Sequence, residues 1–416
     1  MSGLLRLSGV SATVASGFRG VSPAVGALQD SGSEGNTPKR RRDGVDRVGG
    51  VTARIVLFGA TGYTGARTAE ALVARGARPV LAGRDPARLD RLADRLGGLE
   101  TVRADVTDPR SVRGLLGHGD VLVTTVGPFL QLGQAAVDAA VAEGAIYLDS
   151  TGEPPFVRRL FEQDAVRAAA TGAALIPAFG LDYVPGNLAA ALALTEAGKG
   201  AHRLDVGYAL DGANGQAFSR GTLVSLMGVL FEPGFAFTGG RLVPETAGRR
   251  LWRFEANGRA RRGLSVGGSE HLTMPGLAPS LREIGVHLDW FGPLTPWAHR
   301  LAPLSGLTGR LPGAERVAQR MAGFIGSRVG EAPSQATLAS ARTHTVAEVR
   351  SGSGELVSRV QLSGPEAYGF TAEMLAWGAT RAADSGVRGS GALGPVQAFG
   401  LEELTAGAAE AGLVRS

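Results

Sequence analysis

The pattern of apolar and polar residues is most regular between residues 54 and 180, where short apolar runs alternate with segments of helical periodicity. Each run has the length of a buried strand, and each intervening segment places its apolar side chains on one helical face. The predicted strands are 55–58, 79–82, 101–104, 120–126, 145–148 and 173–177, and the predicted helices are 66–75, 86–96, 111–116, 134–142 and 156–170. Strands and helices that alternate in this way predict a doubly wound parallel sheet of about six strands.

The pattern changes after residue 187. Strand-like runs occur at 203–210, 249–254, 344–349 and 357–362, and helical patterns at 188–197, 222–230, 371–382 and 401–409. The strand-like runs lack regular intervening helices, which predicts a mixed, largely antiparallel sheet. We therefore expect an α/β protein with a doubly wound domain over 51–187 and an α+β domain over 188–365. Helices in 366–416 complete the chain, and one option is that they return to the first domain.

Residues 1–50 lack the periodicity of a packed element. Small and polar residues are frequent, and 30–39 has the composition of a flexible segment. The first 29 residues contain no acid, which superficially resembles a transit peptide. We favour a disordered N-terminal extension, or a start codon placed too far upstream, over a targeting sequence.

Three glycines follow the first predicted strand at three-residue steps, and a helical pattern follows them. Gly59 would allow a tight turn, Gly62 would let the backbone approach a pyrophosphate, and Gly65 would let helix and strand pack closely. This layout predicts a dinucleotide-binding Rossmann domain with the phosphates at a helix N-terminus, and a purely structural turn is the alternative. The residues expected to contact the cofactor in this turn are Gly59, Thr61, Gly62, Tyr63, Thr64 and Gly65.

Arg84 follows the second predicted strand, nineteen residues beyond Gly65. Many NAD sites carry an acid at this place to hold the ribose 2′-hydroxyl. An arginine could instead pair bidentately with a 2′-phosphate. The sequence therefore favours NADP, used as NADPH, although the neighbouring Asp85 keeps NAD open.

Further cofactor contacts are expected at the ends of the third and fourth strands. Asp105 follows the third strand, where an acid can lie beside the adenine ring, but a helix N-cap would explain Asp105 or Asp108 equally well. Val126, Gly127 and Pro128 follow the fourth strand, whose carboxyl end faces the ligand crevice of an open parallel sheet.

The composition limits the kinds of site and partner that the chain is expected to have. The chain has no cysteine, and none of its six histidines is paired at metal-ligand spacing, so we expect no metal site. The net charge of +5 comes almost wholly from arginines scattered along the chain, which argues against a nucleic-acid partner. No apolar run approaches the ~20 residues of a membrane span, so we expect a cytoplasmic protein without an integral membrane segment.

Several motifs, taken in order, resemble the saccharopine dehydrogenase-like oxidoreductases, in particular the bacterial branch that includes trans-acting enoyl reductases. The resemblance covers about 54–230 well and the remainder in outline. It implies a Rossmann domain, a second domain for substrate and dimer contacts, a nicotinamide cofactor and a small or acyl-carrier-bound substrate. A homodimer is compatible with it. The motifs are the glycine turn, 81–84, 104–108, 126–129, 147–153, 179–185, 219–222 and 394–395.

The proton donor is less well defined than the cofactor. Short-chain dehydrogenases use a tyrosine with a lysine four residues later, and none of the five tyrosines has that partner. Tyr183 could donate a proton or be a half-buried packing residue. Asp182 could act as an acid or base, or fix the turn before Val184.

Two further pairs of polar residues lie near the predicted rim. Asp149 and Glu153 are explained by capping of the helix that starts near Pro155, although a catalytic role is open. Ser219 and Arg220 belong to the second domain and could bind substrate. Arg220 would suit a carboxylate or phosphopantetheine group, with an interface ion pair as the alternative.

These observations predict an NADP-dependent oxidoreductase that transfers hydride to an activated C=C, C=N or C=O bond of a small metabolite or an acyl or polyketide intermediate. The missing tyrosine–lysine pair favours an activated C=C or C=N bond, because such a bond needs only a weak acid or solvent to supply the proton. The alternative is an NADP-binding redox sensor without turnover. An enclosed crevice between Gly127 and Ser219 would favour the enzyme, and an open surface would favour the sensor.

Overall fold

The computed structural model describes residues 53–212, 234–289 and 335–416, together with 295–296 and 299–300. Residues from Val51 onward form one compact unit that contains two sheets. The predicted helix over 222–230 lies outside the described residues. The domain boundaries drawn from the sequence stay predictions.

The strands are numbered along the chain. They are β1 (Ile55–Phe58), β2 (Val80–Gly83), β3 (Thr101–Arg103), β4 (Val121–Thr124), β5 (Ile146–Asp149), β6 (Ala174–Ile176), β7 (Arg203–Asp211), β8 (Phe235–Thr238), β9 (Arg241–Pro244), β10 (Leu251–Ala256), β11 (Arg259–Val266), β12 (Glu283–Asp289), β13 (Arg342–Arg350), β14 (Leu356–Gly364), β15 (Gly391–Ala392) and β16 (Val414–Arg415).

The α-helices of the described residues are numbered in the same way. They are α1 (Tyr63–Ala74), α2 (Pro86–Arg95), α3 (Pro109–Arg113), α4 (Phe129–Leu132), α5 (Gln134–Ala142), α6 (Pro154–Arg159), α7 (Ala165–Thr171), α8 (Val184–Ala197), α9 (Glu270–Leu277), α10 (Gln335–Ser340), α11 (Ala367–Ser385), α12 (Pro395–Phe399) and α13 (Leu401–Glu410). A π-helical turn (Leu160–Asp164) joins α6 to α7, so the single helix predicted over 156–170 is interrupted.

The first sheet has the order β15-β6-β5-β4-β1-β2-β3, and every pair in it is parallel. Apart from β15, this is the order of a doubly wound dinucleotide-binding sheet, so the predicted fold is confirmed. The strand order reverses between β1 and β4, which opens a crevice at their carboxyl ends. The strand β15 was missed because two residues are too few for a periodic signal.

Alternate residues of β1 enter two different cores. Ile55 and Leu57 belong to one hydrophobic cluster, whereas Val56 and Phe58 belong to the other. Both faces of the sheet are thus buried, which explains why β1 is apolar throughout. Helices α1 and α11 pack against each other, and α11 also contacts β1, β4 and β5. The C-terminal part of the chain therefore supplies both a strand and a helix to the first sheet.

The second sheet has nine strands among the described residues. Its main path is β10-β11-β12-β7-β13-β14-β16, and β8 and β9 are attached beside β12. Only β7 and β12 run parallel, so the predicted mixed and largely antiparallel sheet is confirmed. Helix α8 packs on β7, β13 and β14 and also contacts α9, α12 and α13. It is buried on nearly every side, in keeping with its alanine-rich sequence.

Five strands of the second sheet were not predicted, namely β8, β9, β11, β12 and β16. The arginine-rich β11 is paired along its length with β10, and its exposed arginines mask the alternation that a strand signal requires. The strand β12 falls in 275–313, which has no clear pattern in the sequence. Strand β12 is specified by its pairing with the distant β7, and β11 forms a hairpin with β10.

Candidate cofactor and catalytic site

The glycine turn connects β1 directly to α1. Gly59 has φ +88°, a left-handed conformation that favours glycine. A Cβ at Gly65 would collide with the carbonyl group of Gly59, so helix and strand can approach only without a side chain there. Gly62 is the N-cap, and α1 begins at Tyr63, three residues earlier than predicted. The first-turn N–H groups that have no intrahelical partner therefore lie within the turn itself.

The end of β4 forms the other wall of the crevice. The Thr125 hydroxyl donates a hydrogen bond to the carbonyl oxygen of Gly59, at 3.1 Å. A Cβ on Gly59 would lie 2.8 Å from the side chain of Val126. Gly127 is exposed and precedes Pro128 through a cis peptide bond. The structure thus brings together the glycine turn and 126–128, as the sequence predicted for a crevice.

Glu153 holds the segment that follows this wall. Its carboxylate accepts hydrogen bonds from the backbone N–H groups of Phe129 and Leu130, at 2.8 and 2.9 Å. Its side chain makes no capping hydrogen bond to α6, although it occupies the N-cap position. The predicted capping pair of Asp149 and Glu153 is therefore wrong, because the Glu153 carboxylate is directed to the start of α4.

Asp149 links the loops after β5 and β6. Its carboxylate accepts hydrogen bonds from the hydroxyl of Tyr147 (2.7 Å) and from the N–H groups of Thr151 (2.9 Å) and Ala178 (2.7 Å). Burial raises the pKa of this carboxyl to about 6 despite these bonds. Its contacts are those of a buried structural residue.

Arg84 lies directly after Gly83, the last residue of β2. It is exposed and makes no hydrogen bond or ion pair within the described ranges. Gly83 is paired with Arg103 of β3, and the guanidinium of Arg88 donates to the carbonyl oxygen of Thr61 in the glycine turn, at 3.1 Å. Three arginines therefore surround this side of the turn. The sequence could identify only Arg84, since Arg88 and Arg103 are brought there by the helix and by strand register.

Asp105 and Asp108 have separate roles. The Asp105 carboxylate accepts hydrogen bonds from the backbone N–H and the hydroxyl of Thr107, at 2.9 and 2.8 Å, and these bonds lower its pKa. Asp108 is the N-cap of α3 and accepts from the N–H of Arg110 at 3.1 Å. The cap is thus Asp108, which leaves Asp105 at the end of β3 beside the crevice.

The helix of the glycine turn is also attached to α11. The ring of Tyr63 meets the ring of Tyr368 edge to face, with centroids 5.1 Å apart. Arg67 forms an ion pair of 2.6 Å with Glu366, whose carboxylate also caps α11. These partners are about 300 residues apart in the sequence, so no local pattern could have revealed them.

Asp182 lies in the loop after β6, beside Gly152. A Cβ on Gly152 would be 2.8 Å from its Oδ2. The carboxyl makes no hydrogen bond or ion pair in the part of the chain described, and burial raises its pKa to about 7. The turn is held instead by backbone bonds from Tyr183 to Ala178 and from Val184 to Gly180. Hydrogen bonding therefore gives no support to the turn-fixing role considered from the sequence.

Tyr183 is buried and is joined by a cis peptide bond to Asp182. Its hydroxyl donates to the carbonyl oxygen of Gly267 at 3.3 Å, and burial raises its pKa well above the usual value. The side-chain amide of Asn187 donates to the Ser269 hydroxyl and accepts from the Thr273 hydroxyl, both at 2.7 Å. These bonds attach the first turn of α8 to residues 267–273.

A second buried acid, Glu270, was not identified from the sequence. Its side chain is fully buried and accepts a hydrogen bond of 2.5 Å from the hydroxyl of Tyr208 on β7. Both groups lie over Gly186 in the first turn of α8, where a Cβ would collide with them. Burial raises the pKa of Glu270 to about 7 and that of Tyr208 well above its usual value. The signal in the sequence that could have pointed to Glu270 is the Gly-Gly-Ser-Glu segment at the start of a helix.

Residues 55–175 match the family model of the saccharopine dehydrogenase NADP binding domain. The resemblance inferred from the motifs is thus confirmed, and so is NADP as the cofactor type of the NADP-binding domain. A helix long and apolar enough to cross a membrane is not found in the described segments, nor is a cluster of three or more potential metal ligands.

Curated relatives carry related names. A Mycobacterium tuberculosis protein named provisionally as a trans-acting enoyl reductase is 39% identical over 185 residues, which are 42% of this chain and 44% of the relative. A trans-acting enoyl reductase of Mycobacterium leprae is 41% identical over 140 residues, 32% of this chain and 34% of the relative. The matched regions therefore span less than half the length of these relatives.

A solved saccharopine dehydrogenase (L-Glu forming) from Saccharomyces cerevisiae resembles the chain with a TM-score of 0.56. The likeness covers 88% of this chain and 99% of the yeast chain at 13% identity. At this identity it shows the fold alone. It extends beyond the NADP-binding domain and includes the second sheet.

Two predicted substrate residues, Ser219 and Arg220, lie outside the described residues. The comparison of an enclosed with an open crevice between Gly127 and Ser219 therefore cannot be made. What the described residues do present is a glycine turn with a free approach to its backbone and, in the loop after β6, a carboxyl that is partly protonated near neutral pH. This combination can bind a dinucleotide and hold a proton.

Proposed function

We propose that the protein is an NADP-dependent oxidoreductase that transfers hydride to an activated C=C, C=N or C=O bond of a small metabolite or an acyl or polyketide intermediate. An enoyl thioester is the preferred substrate class, in line with the names of the mycobacterial relatives. The observation that carries the proposal is the Asp182 carboxyl, which has no hydrogen-bond partner among the described residues and lies at the carboxyl end of the sheet that carries the glycine turn.

The cofactor would be held mainly by backbone. The N-terminus of α1 and the glycine turn suit a diphosphate, because unpaired N–H groups and the helix dipole favour negative charge there. Arg84, assisted by Arg88 and Arg103, suits the 2′-phosphate. Asp105 and 126–128 would border the adenosine and nicotinamide sides. When bound, NADPH supplies the hydride.

Asp182 would supply the proton. Reduction of an enoyl thioester places hydride on the β-carbon and a proton on the α-carbon, so a neutral acid is needed once for each turnover. Asp182 has a pKa of about 7 and no competing hydrogen bond among the described residues. Tyr183 remains a second candidate, but its hydroxyl already donates to the carbonyl oxygen of Gly267. We therefore favour Asp182.

The second sheet and the residues outside the described ranges would cover the substrate. Ser219 and Arg220 stay candidates for its carboxylate or phosphopantetheine group. A homodimer through residues 188–365 also stays a proposal, and sedimentation of the full chain would decide its oligomeric state.

The test is oxidation of NADPH by the full-length protein with enoyl thioesters of increasing chain length. Loss of absorbance of the reduced nicotinamide that depends on the thioester is the expected result. A parallel titration of NADPH fluorescence measures binding without turnover. Tight binding with no oxidation by any activated double bond would favour the redox-sensor alternative over the enzyme.

A further inference from the structure

Two acids flank the same end of helix α8, the partly buried Asp182 and the fully buried Glu270. Asp182 precedes the N-cap residue Tyr183, and the carboxyl of Glu270 lies over Gly186 in the first turn. The acids come from different parts of the chain, since Glu270 begins α9 beyond the strands β7 to β11. The end of α8 therefore brings together two carboxyls that the sequence separates by 88 positions.

The surroundings of Glu270 are built to admit a carboxyl. A Cβ at Gly186 would collide with Oε1, and a Cβ at Gly268 would lie 2.6 Å from Oε2. Oε1 accepts the hydrogen bond from Tyr208, while Oε2 is buried without a partner in the described part of the chain. Burial of an unpaired charge is costly, so a fully buried carboxyl that serves packing alone would be unexpected here.

The charged and titratable groups around the pair come from several elements. Strand β7 contributes Tyr208, the loop before α8 contributes Tyr183, and the loop after β5 contributes Glu153, which acts on Tyr183. His271 accepts from the Gly268 N–H through Nδ1, and burial lowers its pKa to about 3, so it is neutral. No arginine or lysine of the described segments forms an ion pair with either acid. The charge of Asp182 is among the causes that raise the pKa of Glu270, after burial.

The two acids differ in hydrogen bonding. Tyr208 donates to Glu270, which favours its carboxylate form, whereas no described residue donates a hydrogen bond to Asp182 that would favour ionisation. When the pair holds a single proton, the proton belongs on Asp182 and the negative charge on Glu270. Each carboxylate also disfavours ionisation of the other, and this coupling is reciprocal.

We propose that Glu270, hydrogen-bonded to Tyr208, is a positioning residue that keeps the shared proton on Asp182. This inference rests on the proposed function, because it assigns to Asp182 the proton of the reduction. In each turnover bound NADPH would supply the hydride to the β-carbon, Asp182 would supply the proton to the α-carbon, and NADP⁺ and the saturated thioester would result. The Asp182 carboxylate regains a proton from water, and the charge on Glu270 favours that return.

The experiment titrates Asp182 directly in the full-length protein, so it needs no substrate. The carboxyl carbons of aspartate are labelled with ¹³C, and the Asp182 signal is assigned by its loss in Asp182→Asn. In Glu270→Gln, which keeps the shape and the oxygen that Tyr208 contacts, we expect the midpoint of Asp182 to fall by about one pH unit. Tyr208→Phe should shift it in the same direction, because Glu270 then competes better for the proton.

Glu348→Gln is the matched control. Glu348 is also largely buried, but it lies on the opposite face of the second sheet, between Arg350 and Arg359. It should leave the Asp182 midpoint unchanged. An Asp182 midpoint that does not move in Glu270→Gln or in Tyr208→Phe would overturn the proposal. A shifted midpoint in a protein that reduces no substrate would leave the coupling intact and count against the proposed function alone.

Where turnover is found, the pH profile adds a second readout. Activity requires protonated Asp182, so it falls as pH rises through the Asp182 midpoint. In Glu270→Gln this fall should move to lower pH by the same amount, with the KM for NADPH unchanged. A uniform loss of activity at every pH would indicate a merely structural role.

Discussion

The glycine turn and the acid pair at α8 are specified in opposite ways. The turn is formed by seven consecutive residues, 59–65, and it works through backbone geometry and the absence of side chains. The acid pair is formed by one side chain from the loop after β6 and one from the start of α9, and Tyr208 of β7 donates a hydrogen bond to the second. A cofactor shared by many proteins can be bound by a local motif, whereas the chemistry depends on contacts that only the tertiary structure provides.

The largest expected effect is the loss of turnover when the proposed acid is removed, because this change affects the acid pair and not the glycine turn. Asp182→Asn removes the proposed acid but leaves the glycine turn untouched, so turnover should fall by about 100-fold or more. NADPH binding, followed by fluorescence, should not change. Since the protonated form is active, wild-type activity should decline as pH rises through about 7, the pKa set by burial of this carboxyl. Asp138→Asn, at an exposed position on α5, is the control.

Equal turnover in Asp182→Asn and wild type would remove Asp182 as the donor. In that case Tyr183→Phe becomes the informative variant.

The reverse experiment damages the turn. Gly65→Val places a side chain against the Gly59 carbonyl group, and the turn and α1 must separate to accommodate it. We expect NADPH to bind about 10- to 100-fold more weakly, with the Asp182 midpoint preserved. Gly200→Ala is the control, because a Cβ there meets no atom within 4 Å. Normal binding by Gly65→Val would show that the cofactor does not use this turn.

The preference for NADPH over NADH tests the role of the arginines around the turn. Arg84→Ala should weaken NADPH about tenfold and leave NADH unaffected, because only NADPH carries the 2′-phosphate. Arg103→Ala should act in the same direction with a smaller effect. Arg95→Ala, in the last turn of α2, serves as the control. If wild type binds NADPH and NADH equally, the assignment of Arg84 to the 2′-phosphate fails.

The smallest effect concerns the attachment of the turn to α11. A double-mutant cycle of Arg67→Ala and Glu366→Gln should give a coupling energy of about 1 kcal/mol in the free energy of unfolding. The pair is partly exposed, with 33% and 11% of its side chains accessible, so high salt should reduce the coupling. Urea unfolding at low and high salt measures it. A cycle with no coupling would mean that other contacts, such as Tyr63–Tyr368 and Arg75–Glu373, join the helices.

Much of the first sheet could be predicted because each strand is a continuous apolar run. In β1 both Leu57 and Phe58 are buried, on opposite faces, and the helix that follows has its own periodicity. The second sheet was harder, since β11 carries arginines on exposed positions and gains its stability from β10 and β12. How much of the second sheet could be predicted was thus limited by strand pairing that the pattern of the sequence does not show.

The candidate site also contains some residues that could be predicted from the sequence and others that could not. Gly59 and Arg84 could be predicted because the motif fixes their place in the fold. The role assigned to Glu153 was wrong, since its position before α6 suggested a cap while its carboxylate reaches the N–H groups of Phe129 and Leu130. Glu270 was missed because nothing in its own segment indicates that Tyr208 lies beside it.

The small residues of α8 have a consequence for how the sequence can change. Tyr208 reaches the first turn of α8 from the sheet and Glu270 reaches it from α9, so their hydrogen bond lies directly against this helix. Ala189, Ala190 and Ala193 are fully buried further along. Enlarging any of them would widen the whole layer rather than fill a gap. In a saturation library selected for activity, we expect α8 to accept fewer substitutions than the glycine-rich loops at the surface.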